Sequence, residues 1–395
     1  MTTYELTNNQ RKYFGLEPIE SHWDRVILKG DVYRPESILY FDGNTIKRHI
    51  VSTQTDYFEK QYHDLTKDRT ILLPKTEKGK EKKLTASVLE LRQPTGVYLS
   101  IYDGHLKIGN YNTQTTFYSS RWDNEEQYKK SIPEIFEIFI SQSPQNHFEE
   151  LNKFKNSKRQ NIKFKSGDYF CFKVDRTQFG FGRILLDISK IRKKKLIDGF
   201  HGLGLFMGPP VMVEFFVYKA QTKKTDIETL DKQPKLPADV MMDNLLLYGE
   251  YEIIGHREIQ DEEFNFPISY GSSVDRRSIV FLQWGLIHKE LPKNTFSKYI
   301  FTEETQMGIN PYGYYSIGFR PGYDTIEIIK SISNNGIFDF DKSGHYKAKW
   351  DLRNPKNKRI RDEIFKVFGL DPDKGYYENS KQTKTPLPSE INKQL

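Results

Sequence analysis

The stretch 161–187, NIKFKSGDYFCFKVDRTQFGFGRILLD, constrains the fold of this chain more than any other. It opens on a Lys165-Ser166-Gly167-Asp168 turn, where Gly167 is free to take positive φ and Asp168 can bond its own backbone. Strict alternation follows. Phe170, Phe172 and Val174 point one way and Tyr169, Cys171 and Lys173 the other, the period of a half-buried strand. After a polar turn, Asp175-Arg176-Thr177-Gln178, the chain returns through Phe179-Gly180-Phe181-Gly182-Arg183-Ile184-Leu185-Leu186, so a β-hairpin is expected. The two glycines weaken the second strand by about 0.5–1 kcal/mol each, and such glycines mark close approach by a neighbour or a ligand. For Arg183 an internal ion pair and a rim contact with a partner stand even.

A chain of 395 residues exceeds one ordinary core, which predicts two or three domains. With 27 Phe and 24 Tyr in alternating runs, the expected class is α+β, predominantly antiparallel β with flanking helices. Mean hydropathy is −0.70, and no run approaches the roughly 18 apolar residues of a membrane span. The start, MTTYELTNNQRKYF, lacks a basic segment followed by an apolar one, so no signal peptide is expected. Cys171 is the single cysteine, which excludes an internal disulfide and fits a reducing cytoplasm. A net charge of +7 favours a polyanion or an acidic partner.

Taken in order, residues 5–16 read as a helix with Thr7 and Gln10 at capping-box spacing and Gly15 as its stop. Short strands are expected between Trp23 and Phe41, a helical segment at 56–65, and a solvated lysine-rich loop at 74–84. Val97, Leu99 and Ile101 lead into Asp103-Gly104, then Leu106 and Ile108, a hairpin on a two-residue turn. Asn110–Tyr118 reads as a further strand. A helix should run from Asp123 to about Ser141 with Ile132, Ile135, Phe136 and Phe139 inward; a second, after Pro144, carries a stripe of Phe148, Leu151 and Phe154. The polar run Asn156–Gln160 places a boundary. The expected domains are 1–157, a β-rich 158–291, an extension 292–375 packed on it, and a disordered tail 376–395. Within the second part, 211–218 reads as a strand, 220–238 as an exposed loop, and 245–255 and 278–287 as strands. Asn354 caps a helix with Pro355 at its first position; Ile360, Ile364, Phe365 and Phe368 form its buried face, and Gly369 ends it.

No catalytic constellation emerges. The nine histidines are scattered and there is one cysteine, so no metal site and no cofactor are expected. Cys171 could be a nucleophile with His201 or His256 as base, but its place between Phe170 and Phe172 favours a packed side chain. The glycines of 199–208 lack the spacing of a phosphate loop. Asp68, Glu81 and Lys83 have the residue types of a metal-dependent nuclease, but the Glu-x-Lys lies in the lysine-rich loop. Basic runs at 153–165, 190–195 and 347–361 leave nucleic-acid binding as the alternative reading.

The run K-S-G-D-Y-F-x-F, a short turn and F-G-F-G-R-I-L resembles the opening signature of the immunity protein 26 family. The residues that carry it are Lys165, Gly167, Asp168, Phe170, Phe172, Phe179, Gly180, Phe181, Gly182 and Arg183. Gly255, Phe266 and Pro267 continue it, in a stretch that resembles the second half of the pattern. The likeness spans roughly 160–290. That family sits beside bacterial polymorphic toxins, and its members bind and neutralise a toxin. The resemblance therefore implies a non-enzymatic cytoplasmic protein whose partner is a cognate toxin, with no membrane. Its contacts are expected at Asp168, Tyr169, Arg176 and Arg183 on one edge, with His201 and Trp284 near a loop.

Overall fold

Antiparallel strands dominate the described residues. The computed structural model describes residues 4–73, 79–120, 130–206, 208–236, 238–273, 276, 278–300 and 352–395, with 313–318 described by backbone alone. Two compact units result. The first comprises Met1–Asn161 with Asp175–Thr177 and Tyr248–Glu250; the second comprises Ile162–Val174, Gln178–Leu247 and Tyr251–Leu395.

In the first unit the helix α1 (Asn8–Tyr13) starts on the expected capping box, Gln10 N donating to Thr7 Oγ1 at 3.2 Å and Thr7 N to Gln10 Oε1 at 2.9 Å. Nine strands follow: β1 (Asp24–Leu28), β2 (Ser37–Asp42), β3 (Thr45–Ser52), β4 (Tyr57–Lys67), the short β5 (Ile71–Leu72) and β6 (Lys82–Lys83), β7 (Thr95–Tyr102), β8 (His105–Asn110) and β9 (Thr115–Ser119). Their main order is β1-β2-β3-β4-β7-β8-β9, antiparallel throughout. Asp103 and Gly104 take φ of 50° and 72°, as a tight turn between β7 and β8 requires.

The helix expected at 56–65 is instead β4. Its Glu, Lys and Gln favour a helix locally, but Tyr57, Glu59 and Tyr62 are buried and the strand pairs on both sides, with β3 and β7. Sheet pairing outweighs a propensity worth tenths of a kcal/mol per residue.

Helix α2 (Ala86–Glu90) precedes β7, and α3 (Ile132–Ser141) buries Ile132, Ile135, Phe136 and Phe139 as expected. Residues 121–129, where that helix was to begin, lie outside the described residues. In α4 (His147–Lys155) Leu151 is buried but Phe148 is 51% exposed, so the expected stripe is narrower.

The second unit holds two antiparallel sheets. Strands β10 (Asp168–Lys173), β11 (Phe179–Leu186), β12 (Pro210–Ala220), β13 (Asp239–Met242) and β14 (Glu252–His256) run in the order β13-β12-β11-β10-β14. Strands β15 (Ile268–Ser273), β16 (Ile279–Trp284), β17 (Ile287–Pro292) and β18 (Gly313–Gly318) run β17-β16-β15-β18. Apolar clusters fill both faces of the first sheet. Phe170, Phe172, Ile184, Val213 and Phe215 lie on one, and Tyr169, Cys171, Phe181 and Phe216 on the other. The glycines at 180 and 182 pack as the sequence suggested. A Cβ on Gly182 would lie 2.3 Å from Phe170 Cζ, and one on Gly180 2.7 Å from Phe172 Cζ. The two rings lie across the strand in the space a side chain would take.

Three expectations change here. The segment 220–238 is no bare loop, because α5 (Ile188–Lys193) is followed after β12 by α6 (Ile227–Asp231), whose Leu230 is buried with Tyr169, Cys171, Phe181 and Phe216. A helical turn, α7 (Asn244–Leu247), replaces the first half of the strand expected at 245–255. The tail 376–395 is also structured. After α8 (Lys358–Val367), which buries Ile364 and Phe365, come α9 (Tyr376–Thr383) and α10 (Pro388–Asn392). Its polar residues serve as backbone partners. Buried Asn379 donates through Nδ2 to the carbonyls of Asp371, Lys374 and Gly375 and accepts from Asp371 N. Tyr376, Ile391 and Leu395 join the core around β15 and β16.

Candidate functional site

Gly167 adopts φ +91°, and its turn brings Asp168 to the head of β10, where Asp168 Oδ2 accepts from Lys165 N at 2.8 Å. The other carboxylate oxygen, Oδ1, lies 2.7 Å from His256 Nδ1 on the neighbouring β14. A register shift between Tyr169 and Phe170 in this pairing marks a β-bulge. Tyr169 pairs with Arg183 across the hairpin, so both side chains share a face; the guanidinium lies 5.0 Å above the ring.

A charged brace surrounds that pair. Arg183 donates to Glu263 Oε1 at 3.1 Å and to the carbonyls of Arg257 and Glu258 at 3.0 and 3.2 Å. Arg257 lies 2.7 Å from Asp231 Oδ2 and 2.5 Å from Glu263 Oε1, and Tyr169 donates to Asp231 Oδ1 at 2.5 Å. Burial works to raise the Glu263 carboxyl, but the Arg257 and Gln260 N–H bonds, with Arg183 beside them, outweigh it and hold the group at about 2. Bonding to Glu263, ahead of Asp231 and Tyr169, raises the Arg257 guanidinium further above its ordinary value. Chemically this is a set of mutually paired ions in which only the buried Arg183 Nε finds no partner among the described residues, with Arg257 and His256 about one-third exposed at its edge.

The six residues expected to touch a partner are mostly interior. Tyr169 and Arg183 are fully buried, and Asp168, His201 and Trp284 nearly so. Arg176 spends its donors on Phe139 O at 2.8 Å, Ser143 Oγ at 3.0 Å and His147 Nδ1 at 3.1 Å. Trp284 packs against Phe365 and Tyr376. His201 turns inward, Nε2 lying 3.1 Å from Leu286 O while Nδ1 accepts from Leu203 N, and burial pushes it down to about 4. Cys171 is buried too, which pushes its thiol up to about 12 and leaves it far from a nucleophilic thiolate.

The residue beside His201 is the exposed one. Asp198 Oδ1 accepts from Phe200 N at 2.7 Å and from His201 N at 2.9 Å, and the turn displays Phe200 at 55% exposure. The Arg276 guanidinium lies 4.0 Å over the Phe200 ring and is itself held by Glu290. Sequence reading reached this loop but chose its histidine. The usable signal was an aromatic directly after Asp-Gly, in a turn with no strand neighbour to cover it.

The basic runs are largely committed within the chain. Lys153 meets Glu149 and Glu150, Lys190 donates to Phe164 O, Arg192 to the carbonyls of Phe206 and Gly208, and Arg353 to those of Ala238 and Asn265. Residues 347–351 of the third run lie outside the described residues. Among the described residues no group of three His, Cys, Asp or Glu could hold a metal ion, and no helix is long and apolar enough to cross a membrane.

Fold and site together define an α+β protein whose antiparallel sheets fix a braced hairpin and a displayed aromatic loop. Residues 165–277 match the family model described as immunity protein 26. The match takes in all of β10 to β15, including the braced hairpin and Phe200 with Arg276. No curated protein and no solved structure matches the chain.

Proposed function

We propose that this chain is a cytoplasmic immunity protein that binds a cognate bacterial toxin and neutralises it by occlusion, without catalysis. The family match over 165–277 carries the reading. Within that span the feature best suited to a partner is Phe200 under Arg276. Aromatic and arginine side chains dominate interface hot spots, and a turn already fixed by Asp198 loses little entropy on binding. Asp168, Tyr169, Arg176, Arg183, His201 and Trp284 act in this reading by holding the surface rather than by touching the toxin. The contact edge adds the exposed ends of Arg257 and His256. Residues 158–291 are the toxin-binding part, and 292–375 support it.

The test is co-purification of the full chain from cells holding its neighbouring genes, in about 0.5 M salt, where phosphate contacts would be lost steeply. A single stoichiometric protein that kills cells when expressed alone is the expected result, with Phe200→Ala weakening that complex by about tenfold or more while leaving the melting temperature unchanged. Recovery of nucleic acid alone, stripped as salt rises, would overturn the reading in favour of the basic runs.

A further inference from the structure

A second feature lies in the first unit, outside the family match. A cavity of about 440 Å³ opens between the segment after α1 and the strands β3, β4 and β7. Its strand wall presents Lys47, Gln61, His63 and Thr95, and the facing wall presents Glu17, Glu20 and Trp23. The volume falls within the range of small-molecule sites.

Both walls are fixed in advance. On the segment wall, Asn8 bonds both backbone groups of Ile19, Nδ2 to Ile19 O and Ile19 N to Oδ1, each at 2.9 Å. Buried Arg48 donates to Glu17 O at 2.6 Å, and Trp23 N donates to Glu20 O at 3.1 Å. On the strand wall, β4 is irregular on both sides at this point. Its register with β3 shifts between Ile46 and Arg48, and that with β7 shifts between Glu59 and Gln61. Bulges re-aim side chains and cluster beside functional sites. Gly96, at φ +64°, leaves room for the Gln61 amide, whose Oε1 lies 3.1 Å from where a Cβ would stand.

The charges are segregated. Lys47 Nζ lies 3.2 Å from His63 Nδ1 and, more loosely, 3.8 Å from the exposed Asp42 Oδ2; with the ammonium donating to Nδ1, the imidazole proton sits on Nε2 and the strand wall offers donors. The opposite wall offers two carboxylates and an indole, residue types that together attract a cationic nitrogen. Glu17 is engaged with Lys155 at 2.5 Å, which makes exposed Glu20 the carboxylate for a ligand.

We infer that this cavity binds a small zwitterion, its anionic group on Lys47 and His63 and its ammonium between Trp23 and Glu20. The site is separate from the toxin-binding surface proposed above, so either can fail alone. The experiment is calorimetric titration of the full chain with glycine, L-lysine and 6-aminohexanoate, which vary the distance between charges, and with hexanoate and hexylamine as single-charge controls. At least one zwitterion should bind with a Kd of about 1 mM or tighter, each control about tenfold more weakly. Lys47→Met, at a half-buried position, and Glu20→Gln, at an exposed one, should each weaken that zwitterion about tenfold at unchanged melting temperature. The inference is overturned if no zwitterion binds by about 10 mM, if a control binds as well, or if either variant binds like the parent.

Discussion

Arg183→Met separates a structural arginine from a contact arginine. The side chain is fully buried, makes three hydrogen bonds, and faces Glu263 at 3.1 Å. Met keeps much of the volume but leaves the Arg257 and Glu258 carbonyls without this donor and removes one of the two cations on Glu263. Removing one partner of a buried ion pair costs about 3–5 kcal/mol, and Arg257, still bonded to Glu263, argues for the lower end. For a unit of this size, about 3 kcal/mol lowers the melting temperature by roughly 6–12 °C. Scanning calorimetry with far-UV dichroism reads this, and the loss should fall on the transition of the second unit alone. Glu263→Gln should show a smaller loss in the same transition. A variant that melts within about 1 °C of the parent yet no longer binds the toxin partner proposed above would refute the reasoning and return Arg183 to the contact surface.

Gly182→Ala should destabilise the second unit by about 1–3 kcal/mol despite the usual gain from removing a strand glycine, and adding Phe170→Leu should recover part of that loss in urea melts. Additive losses would show that ring and glycine do not share the space. Buried His49 and His201 both sit near 4 in the folded state, pushed down chiefly by burial, against 6.5 unperturbed. A depressed folded value means that full stability holds above about pH 6.5 and is lost as pH falls toward 4, by up to about 3 kcal/mol per histidine. The urea midpoint should therefore fall across that window, and His201→Gln should flatten the fall for the second unit; a flat parent curve defeats the argument. Ending the chain at residue 375 removes the Tyr376 hydroxyl from Leu286 N and uncovers Phe266 and Trp284, a loss of about 5 kcal/mol from buried Tyr376 and Ile391 with partly buried Leu395. The readout is a red shift of indole emission, and unchanged emission and stability would show that the last helices contribute nothing.

What was legible in the sequence was what neighbours in sequence decide. Thr7 with Gln10, the Asp103-Gly104 turn, the Gly167 turn and the Gly369 stop at φ +74° all take the form their local chemistry dictates, while Asn354 with Pro355 starts a 3-10 turn (Pro355–Asn357) that leads into α8 rather than α8 itself. The alternation of 168–186 gave the central hairpin and even the reason for its glycines. Distant partners were not legible. Segment 57–67 is a strand because β3 and β7 flank it, and 376–395 is ordered because Phe266 and Trp284 offer Tyr376 a seat. The candidate site divides the same way. The motif located the hairpin, but the burial of Arg183 follows from Glu263, eighty residues later. Phe200 was passed over because its exposure depends on which way His201 turns.

The strand orders also set a timetable. In the first unit most strands pair with the next one in sequence, so closure proceeds through short loops. In the second, β10 must wait for β14, and the core around β15 and β16 waits for helices from residue 358 onward. Folding rate falls as contacts reach further along the chain. On a growing polypeptide the nine-stranded sheet of the first unit therefore closes early, with Asp175–Thr177 and Tyr248–Glu250 joining that unit later, while the surface proposed to meet the toxin matures last. Under the function proposed above, protection would come from copies already made, not from those still being synthesised.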